Sequence, residues 1–299
     1  MTGKVHGLLA VHLAVLLFGL SGLFGKLISL PPLGIVLGRT FFASLALGLA
    51  LSYRRRAIRI HSRTDFWVFI LLGSILAIHW TTFFHAIQVS NVAVGLLSFA
   101  TFPIFVTFME PCFFGERLRL FDVWTALLVL CGLVLVIPSF DFGNRITQGA
   151  FWGTISGFTF AVLALLNRKF VRTYPSLTIA FYQNAVATLI LLPFWSLRSQ
   201  AFDSRNLLFL GLLGVFCTAI AHALFIRGLK DVRAQLAGVT ASLEPVYGIL
   251  FALILLGEKP SARTLTGGIL ILGTTVVAGM KSSNSKSQGP RGTELPLLK

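Results

Sequence analysis

The 299-residue chain is 56% hydrophobic and only 12% charged, whereas a soluble domain typically carries about 25% charged residues. That excludes an ordinary water-soluble fold, and once apolar spans of roughly 20 residues are set aside, no stretch of about 100 residues is left for an appended soluble domain. The formal net charge of +15 would point to nucleic acid in a soluble protein, but here the basic residues sit mostly between apolar runs, so their expected partner is the bilayer and no nucleic acid is expected.

In chain order, ten apolar runs are predicted as membrane helices: Gly7–Ile28, Pro32–Tyr53, Asp65–Ile87, Val92–Phe114, Phe121–Pro138, Thr147–Asn167, Ser176–Ser196, Asn206–Gly228, Ala234–Leu256 and Thr264–Met280. Open strands cannot satisfy their backbone groups in lipid, and runs this long lack the ten-residue alternation of a membrane barrel, so the expected fold class is an all-α integral membrane protein. Lys4 followed by an apolar run has the look of a secretory signal, but the run continues to Ile28 without a small-residue cleavage site and reads as a retained first helix. Cys112, Cys131 and Cys217 fall singly inside apolar runs and read as small packing residues. The segment Lys281–Lys299, rich in Ser, Gly and Pro, reads as a disordered cytoplasmic tail.

Orientation follows from the basic residues. Of the 25 Lys and Arg, six (Lys26, Arg145, Arg198, Arg205, Lys259 and Arg263) fall on one side of the predicted spans and Arg39 lies within a span. The other eighteen share the side of the N-terminus, which places both termini in the cytoplasm.

The chain also repeats itself. At a constant offset of 142 residues Pro103 matches Pro245, Phe105 matches Tyr247, Gly115 matches Gly257, Glu116 matches Glu258 and Arg117 matches Lys259. At an offset of 144, Leu33 matches Leu177, Ile35 matches Ile179, Ala43 matches Ala187 and Ser44 matches Thr188. Residues 1–140 and 141–280 are therefore read as two copies of a five-helix unit. Because five is odd, the second copy enters the bilayer from the opposite side, and inverted repeats of this kind are a recurrent architecture of secondary transporters.

With the Pro103 to Gly115-Glu116-Arg117 stretch, the Pro245 to Gly257-Glu258-Lys259 stretch and Arg39 in the second span, the chain resembles the drug/metabolite transporter superfamily, specifically its ten-helix EamA-type branch. The resemblance covers nearly the whole chain. It implies a central cavity enclosed by helices of both halves, cargo among amino acids, other metabolites and some drugs, and export across a bacterial inner membrane. No nucleotide-binding loop is present, so gradients are the expected energy source and no cofactor is called for. An intramembrane enzyme would need a cluster of nucleophile and base at one depth, which the sequence does not offer; a channel would differ by conduction rather than saturable flux.

Pro103 and Pro245 lie at the centres of their runs. Each lacks an amide hydrogen and crowds the carbonyl four residues earlier, Phe99 or Ala241, which makes them candidate hinges or, equally, sites of a static kink. Glu244 is an ionisable group at the expected midplane, where a charge costs at least about 2.5 kcal/mol, so it is a candidate for proton coupling or for recognising a substrate amine. The alternative is a protonated carboxyl bonded to a backbone carbonyl at the kink. Arg39 is a candidate for binding a substrate carboxylate, against snorkelling outward or holding loop carbonyls. His79, Trp80 and Phe83 of the third span and His222 of the eighth are candidate cavity residues for an amphipathic solute, with ordinary core packing as the alternative. Tyr182, Gln183, Asn184 and Tyr247 are further mid-membrane polar groups, suited to cargo or to bonding between helices. The histidines have no close ligand spacing, and no metal is expected. Glu116 and Glu258 end their spans and are expected to act structurally or in closing a gate.

Overall fold

A computed structural model describes residues 2–55, 59–115, 118, 120–137, 141–195, 203–232 and 234–285. Every regular element among them is helical: α1 (Thr2–Leu27), α2 (Pro32–Tyr53), α3 (Arg63–Val89), α4 (Val92–Phe99), α5 (Phe102–Phe114), α6 (Leu120–Val136), α7 (Arg145–Phe170), α8 (Ser176–Trp195), α9 (Ser204–Gly214), a π turn (Val215–Ile220), α10 (Ala221–Asp231), α11 (Ala234–Ala241), α12 (Glu244–Leu255) and α13 (Ala262–Ser285). Seven continuous or nearly continuous helical stretches are long and apolar enough to cross a membrane. Three shorter apolar helices, Val123–Val136, Glu244–Leu255 and Ala262–Val277, coincide with the fifth, ninth and tenth predicted runs. The outside of the bundle is studded with exposed large apolar side chains such as Leu49, Trp124, Ile254 and Ile269, a surface that calls for lipid rather than water.

The predicted boundaries shift mainly where local capping decides. Ser62 caps α3 by accepting the Asp65 amide, Asn91 caps α4 by accepting that of Val94, and Asp203 caps α9 by accepting that of Asn206, each side chain satisfying a donor the helix itself cannot. The fourth and ninth runs, read as single helices, are each broken in two. α4 ends at Phe99 and α11 at Ala241, the residues whose carbonyls Pro103 and Pro245 would crowd, and each proline starts the next helix at a position where no amide is needed. Gly115 and Gly257, matched in the repeat, have left-handed φ values of 66° and 67° where those helices end.

Two further readings need correction. Cys112 and Cys131 are exposed on the bundle surface, because their helix faces turn away from the core; only Cys217 is buried. Helix α13 continues through Lys281 to Ser285, so the first residues assigned to the tail are helical, and the rest, from Lys286, lies outside the described residues. Outside them too lie Glu116, Arg117, Pro138 and Ser196. Glu258 Oε2 accepts the Val92 amide at the start of α4 at 3.0 Å.

The principal packings are α3 on α7, α6 on α13, α2 on α8 and α1 on α10. Small residues set the closest approaches. A Cβ at Gly19 of α1 would stand 2.7 Å from Cβ of Tyr247 and 3.1 Å from the Glu244 carbonyl on α12, whereas one at Gly211 would meet nothing within 4 Å. Gly19→Val is therefore expected to destabilise the protein by about 1–3 kcal/mol through overpacking, seen as a lower unfolding temperature in detergent, while Gly211→Val leaves it close to the parent's.

One buried charge pair, not anticipated, ties the bundle together: Arg168 at the end of α7 pairs with Glu110 of α5, its guanidinium 4.2 Å from the Phe114 ring. Near it, Tyr174 after α7 donates its hydroxyl to Asp65 Oδ2 at 2.7 Å, accepts the His61 amide at 2.9 Å and stacks on the His61 ring. At the other end, Lys26 Nζ donates to the Ser90 carbonyl at 3.0 Å and Gln88 Nε2 to that of Leu30 at 2.8 Å.

Candidate functional site

Six of the predicted site residues converge. Arg39 from α2, His79, Trp80 and Phe83 from α3, His222 from α10 and Glu244 from α12 line one cavity, completed by Phe18 and Ser21 of α1, Leu76, Phe99 of α4 and Phe160 of α7. The space they enclose is small, about 20 Å³, the room that one water molecule needs.

Arg39 is 1% exposed, which rules out snorkelling. Its Nε donates to Thr218 Oγ1 at 2.9 Å, while Nη1 to Ser21 Oγ at 3.5 Å and Nη2 to the Cys217 carbonyl at 3.4 Å are long. The guanidinium carbon lies 3.8 Å from the Trp80 ring centroid and 5.2 Å from that of Phe84, a cation–π contact with an aromatic wall. Because the two Nη contacts are weak, the outer donors of the fork can still take a planar anion.

Glu244 is 4% exposed. It occupies the first turn of α12, directly after the break imposed by Pro245, where free amides and the helix dipole favour a carboxylate. Among the described residues no donor reaches its carboxylate oxygens.

His79 is anchored. Its Nδ1 lies 3.0 Å from the Ser156 carbonyl and 2.9 Å from Ser156 Oγ. A carbonyl can only accept, so Nδ1 carries the proton and Nε2 is the acceptor of the neutral ring. His222 is the opposite case: among the described residues neither of its buried ring nitrogens has a hydrogen-bond partner, and its ring meets Trp80 edge-on at 5.7 Å. Trp80 and His222 are 142 residues apart, the repeat offset, so these two corresponding positions touch each other at the cavity. A buried imidazole with neither nitrogen bonded is a cost that a structure rarely carries unless something polar visits it.

The remaining candidates lie elsewhere. Tyr182 stacks on Phe69 at 4.7 Å, in a cluster with Tyr174, because its helix face turns toward α3. Tyr247 packs its Cβ against Gly19, one turn beyond Glu244 and off the cavity wall. Pro103 and Pro245 flank the cavity through the breaks they cause, beside Phe99 and Glu244. Gln183 donates to Asn167 Oδ1 and Asn184 to the Ala180 carbonyl, which is bonding within the bundle. Sequence reasoning missed Thr218, Ser21, Ser156, Phe99 and Phe160. None carries a local signal, since a Ser, Thr or Phe inside an apolar run is ordinary.

A bundle of apolar helices closed around a cavity with a buried cation, a buried carboxylate and aromatic walls is built as a membrane transporter is built. The profile of the EamA-like transporter family matches residues 5–137 and again residues 147–280, and the chain belongs to that family. It is 27% identical over 275 residues to an uncharacterized transporter of Archaeoglobus fulgidus, covering 91% of this chain and 96% of that protein. It is 26% identical over 259 residues to the pseudopaline exporter CntI of Pseudomonas aeruginosa, covering 86% and 88%. With the S-adenosylmethionine uptake transporter of Rickettsia conorii it shares 24% over 260 residues, covering 84% of each. A solved crystal structure at 21% identity has the same fold, with a TM-score of 0.70 over 95% of this chain and 99% of that one. The protein is a multi-pass membrane transporter of a small molecule and not an enzyme.

Proposed function

We propose that the protein is a secondary transporter that exports a small organic metabolite, an amino acid or a related solute, across the bacterial inner membrane by alternating access. The observation that carries this reading is the juxtaposition of Arg39 and Glu244, both buried, on the wall of one aromatic cavity with the unbonded imidazole of His222. A carboxylate of the cargo is received by the outer donors of Arg39, and an ammonium group by Glu244 and the face of Phe83. In the conformation described, the cavity is contracted and ties exist at both ends of the bundle, Arg168–Glu110 at one and Lys26–Ser90 at the other. Cargo enters when one set opens.

The two halves, residues 1–140 and 141–280, act as inverted five-helix repeats with both termini in the cytoplasm, and Pro103 and Pro245 act as paired hinges. The breaks at matched prolines, the matched left-handed glycines and the packing of α1 on α10 and of α7 on α3 support this. Glu244, whose counterpart is Phe102, couples export to a proton gradient.

The test compares metabolites inside cells and in the medium for strains lacking and overproducing the protein, followed by reconstitution. Proteoliposomes preloaded with the solute that shifts are expected to show saturable uptake of labelled solute, stimulated by the unlabelled solute on the other side. Flux that rises without saturation, or no solute shift across varied media, would sink the proposal.

A further inference from the structure

The helical stretch from α9 to α10 contains one residue more than its counterpart α3, and the π turn absorbs it. Gly73 of α3 packs against Val186 and the Gln183 carbonyl, and Gly214 of α9 packs against Phe42 and the Arg39 carbonyl. Gln183 and Val186 lie 144 residues after Arg39 and Phe42, the offset of the repeat there, so Gly73 and Gly214 correspond at an offset of 141. Further along, Gly149 packs against Ser90 and the Ala86 carbonyl, and Gly7 against Val232 and the Gly228 carbonyl, which sets Ala86 opposite Gly228 and Ser90 opposite Val232 at 142. The extra residue therefore enters between Gly214 and Gly228, the interval that holds the π turn Val215–Ile220. A single π turn is how a helix takes in one residue without ending, and such turns are frequent at functional sites.

The consequence falls on Arg39. Several helical threonines in this chain bond back by four residues, as Thr40 does to Val36, Thr82 to Ile78 and Thr275 to Ile271. Thr218 bonds back by five, donating to the Leu213 carbonyl at 2.8 Å, and thereby turns its lone pairs to Arg39 Nε at 2.9 Å. The neighbouring Cys217 carbonyl, in the same widened turn, accepts from Nη2 at 3.4 Å. The guanidinium is held between the turn on one side and the Trp80 ring on the other.

We infer that the inserted π turn is the positioning device for Arg39, with Thr218 as the positioning residue. It holds the fork on Trp80 with its outer donors turned to an anionic group, and so gives the cavity one anion-binding pole, supplied by the first half of the chain and fixed by the second. The inference rests on the proposal that the cavity is the cargo site, but its test does not require cargo.

The experiment is NMR of the full chain in nanodiscs with [15N]arginine, the Arg39 Hε signal being identified by its loss in Arg39→Gln. The parent is expected to show this signal shifted upfield by the Trp80 ring current and slow to exchange with solvent. In Thr218→Val, which keeps the shape and removes the hydroxyl, exchange is expected to be roughly tenfold faster or more, as fits the loss of a hydrogen bond to a charged group, and the upfield shift to shrink. Thr218→Ser keeps the parent's signal. Deleting Phe216, whose side chain is exposed, restores the register of α3 and is expected to act as Thr218→Val does; should that deletion fail to fold, the Val and Ser pair decides. A parent signal neither shifted nor protected, or a Thr218→Val signal the same as the parent's, overturns the inference. A positive result beside absent flux in proteoliposomes would instead refute the transport reading of the cavity.

Discussion

Arg39→Gln is expected to raise the KM for the transported solute by roughly tenfold to a hundredfold, the range that follows from losing hydrogen bonds to a charged group, with the amount of folded protein in the membrane changed far less. Glutamine cannot span from Thr218 to the cavity, nor present a fork to a carboxylate. Arg39→Lys is expected to fail as well, since an ammonium lacks the planar face that lies 3.8 Å over Trp80. The check is initial-rate counterflow in proteoliposomes, together with size-exclusion profiles of tagged protein from membranes. Should Arg39→Gln merely lower the amount of protein and leave affinity alone, the guanidinium is a structural tie between α2 and the π turn and not a cargo ligand.

Glu244→Gln keeps the shape of the side chain and removes its proton exchange. Each unit of pH difference across the membrane is worth about 1.4 kcal/mol per proton, roughly tenfold in solute accumulation at one proton per cargo. Parent proteoliposomes with a gradient of about one pH unit are therefore expected to reach that roughly tenfold accumulation. The variant is expected to equalise concentrations and no more, while still exchanging labelled for unlabelled solute. Gradient-driven accumulation that survives in Glu244→Gln would remove this residue from the coupling step. The two variants are expected to differ in kind, the first weakening binding and the second uncoupling transport from the gradient.

The same comparison separates the two buried acids. Glu110 sits within an apolar run as Glu244 does, but Arg168 neutralises it at the end of α7, so it ties two helices. Glu244 faces the cavity from the first turn of α12, with Arg39 on the same wall and no direct bond between them. Local sequence could not distinguish these acids, because what neutralises Glu110, and what faces Glu244 across the cavity, comes from another part of the chain.

Hydropathy is a local property, and the sequence by itself determined what is local: an apolar helical chain for a bilayer, the placing of most helices, and the two prolines, read as kinks, beside which α4 and α11 stop. It also marked Arg39, Glu244, His79, Trp80, Phe83 and His222, since charge and imidazole within apolar runs demand compensation. It did not determine which of the marked residues meet. Tyr182 and Tyr247 read as the equals of these six, yet the rotation of their helices turns them to other neighbours, and rotation about a helix axis is decided by packing such as that of Gly19 on Tyr247. Only the tertiary structure decided that Arg39 is held by Thr218, 179 residues away, because a one-residue insertion becomes visible only when the contacts of Gly73 and Gly214 are set side by side.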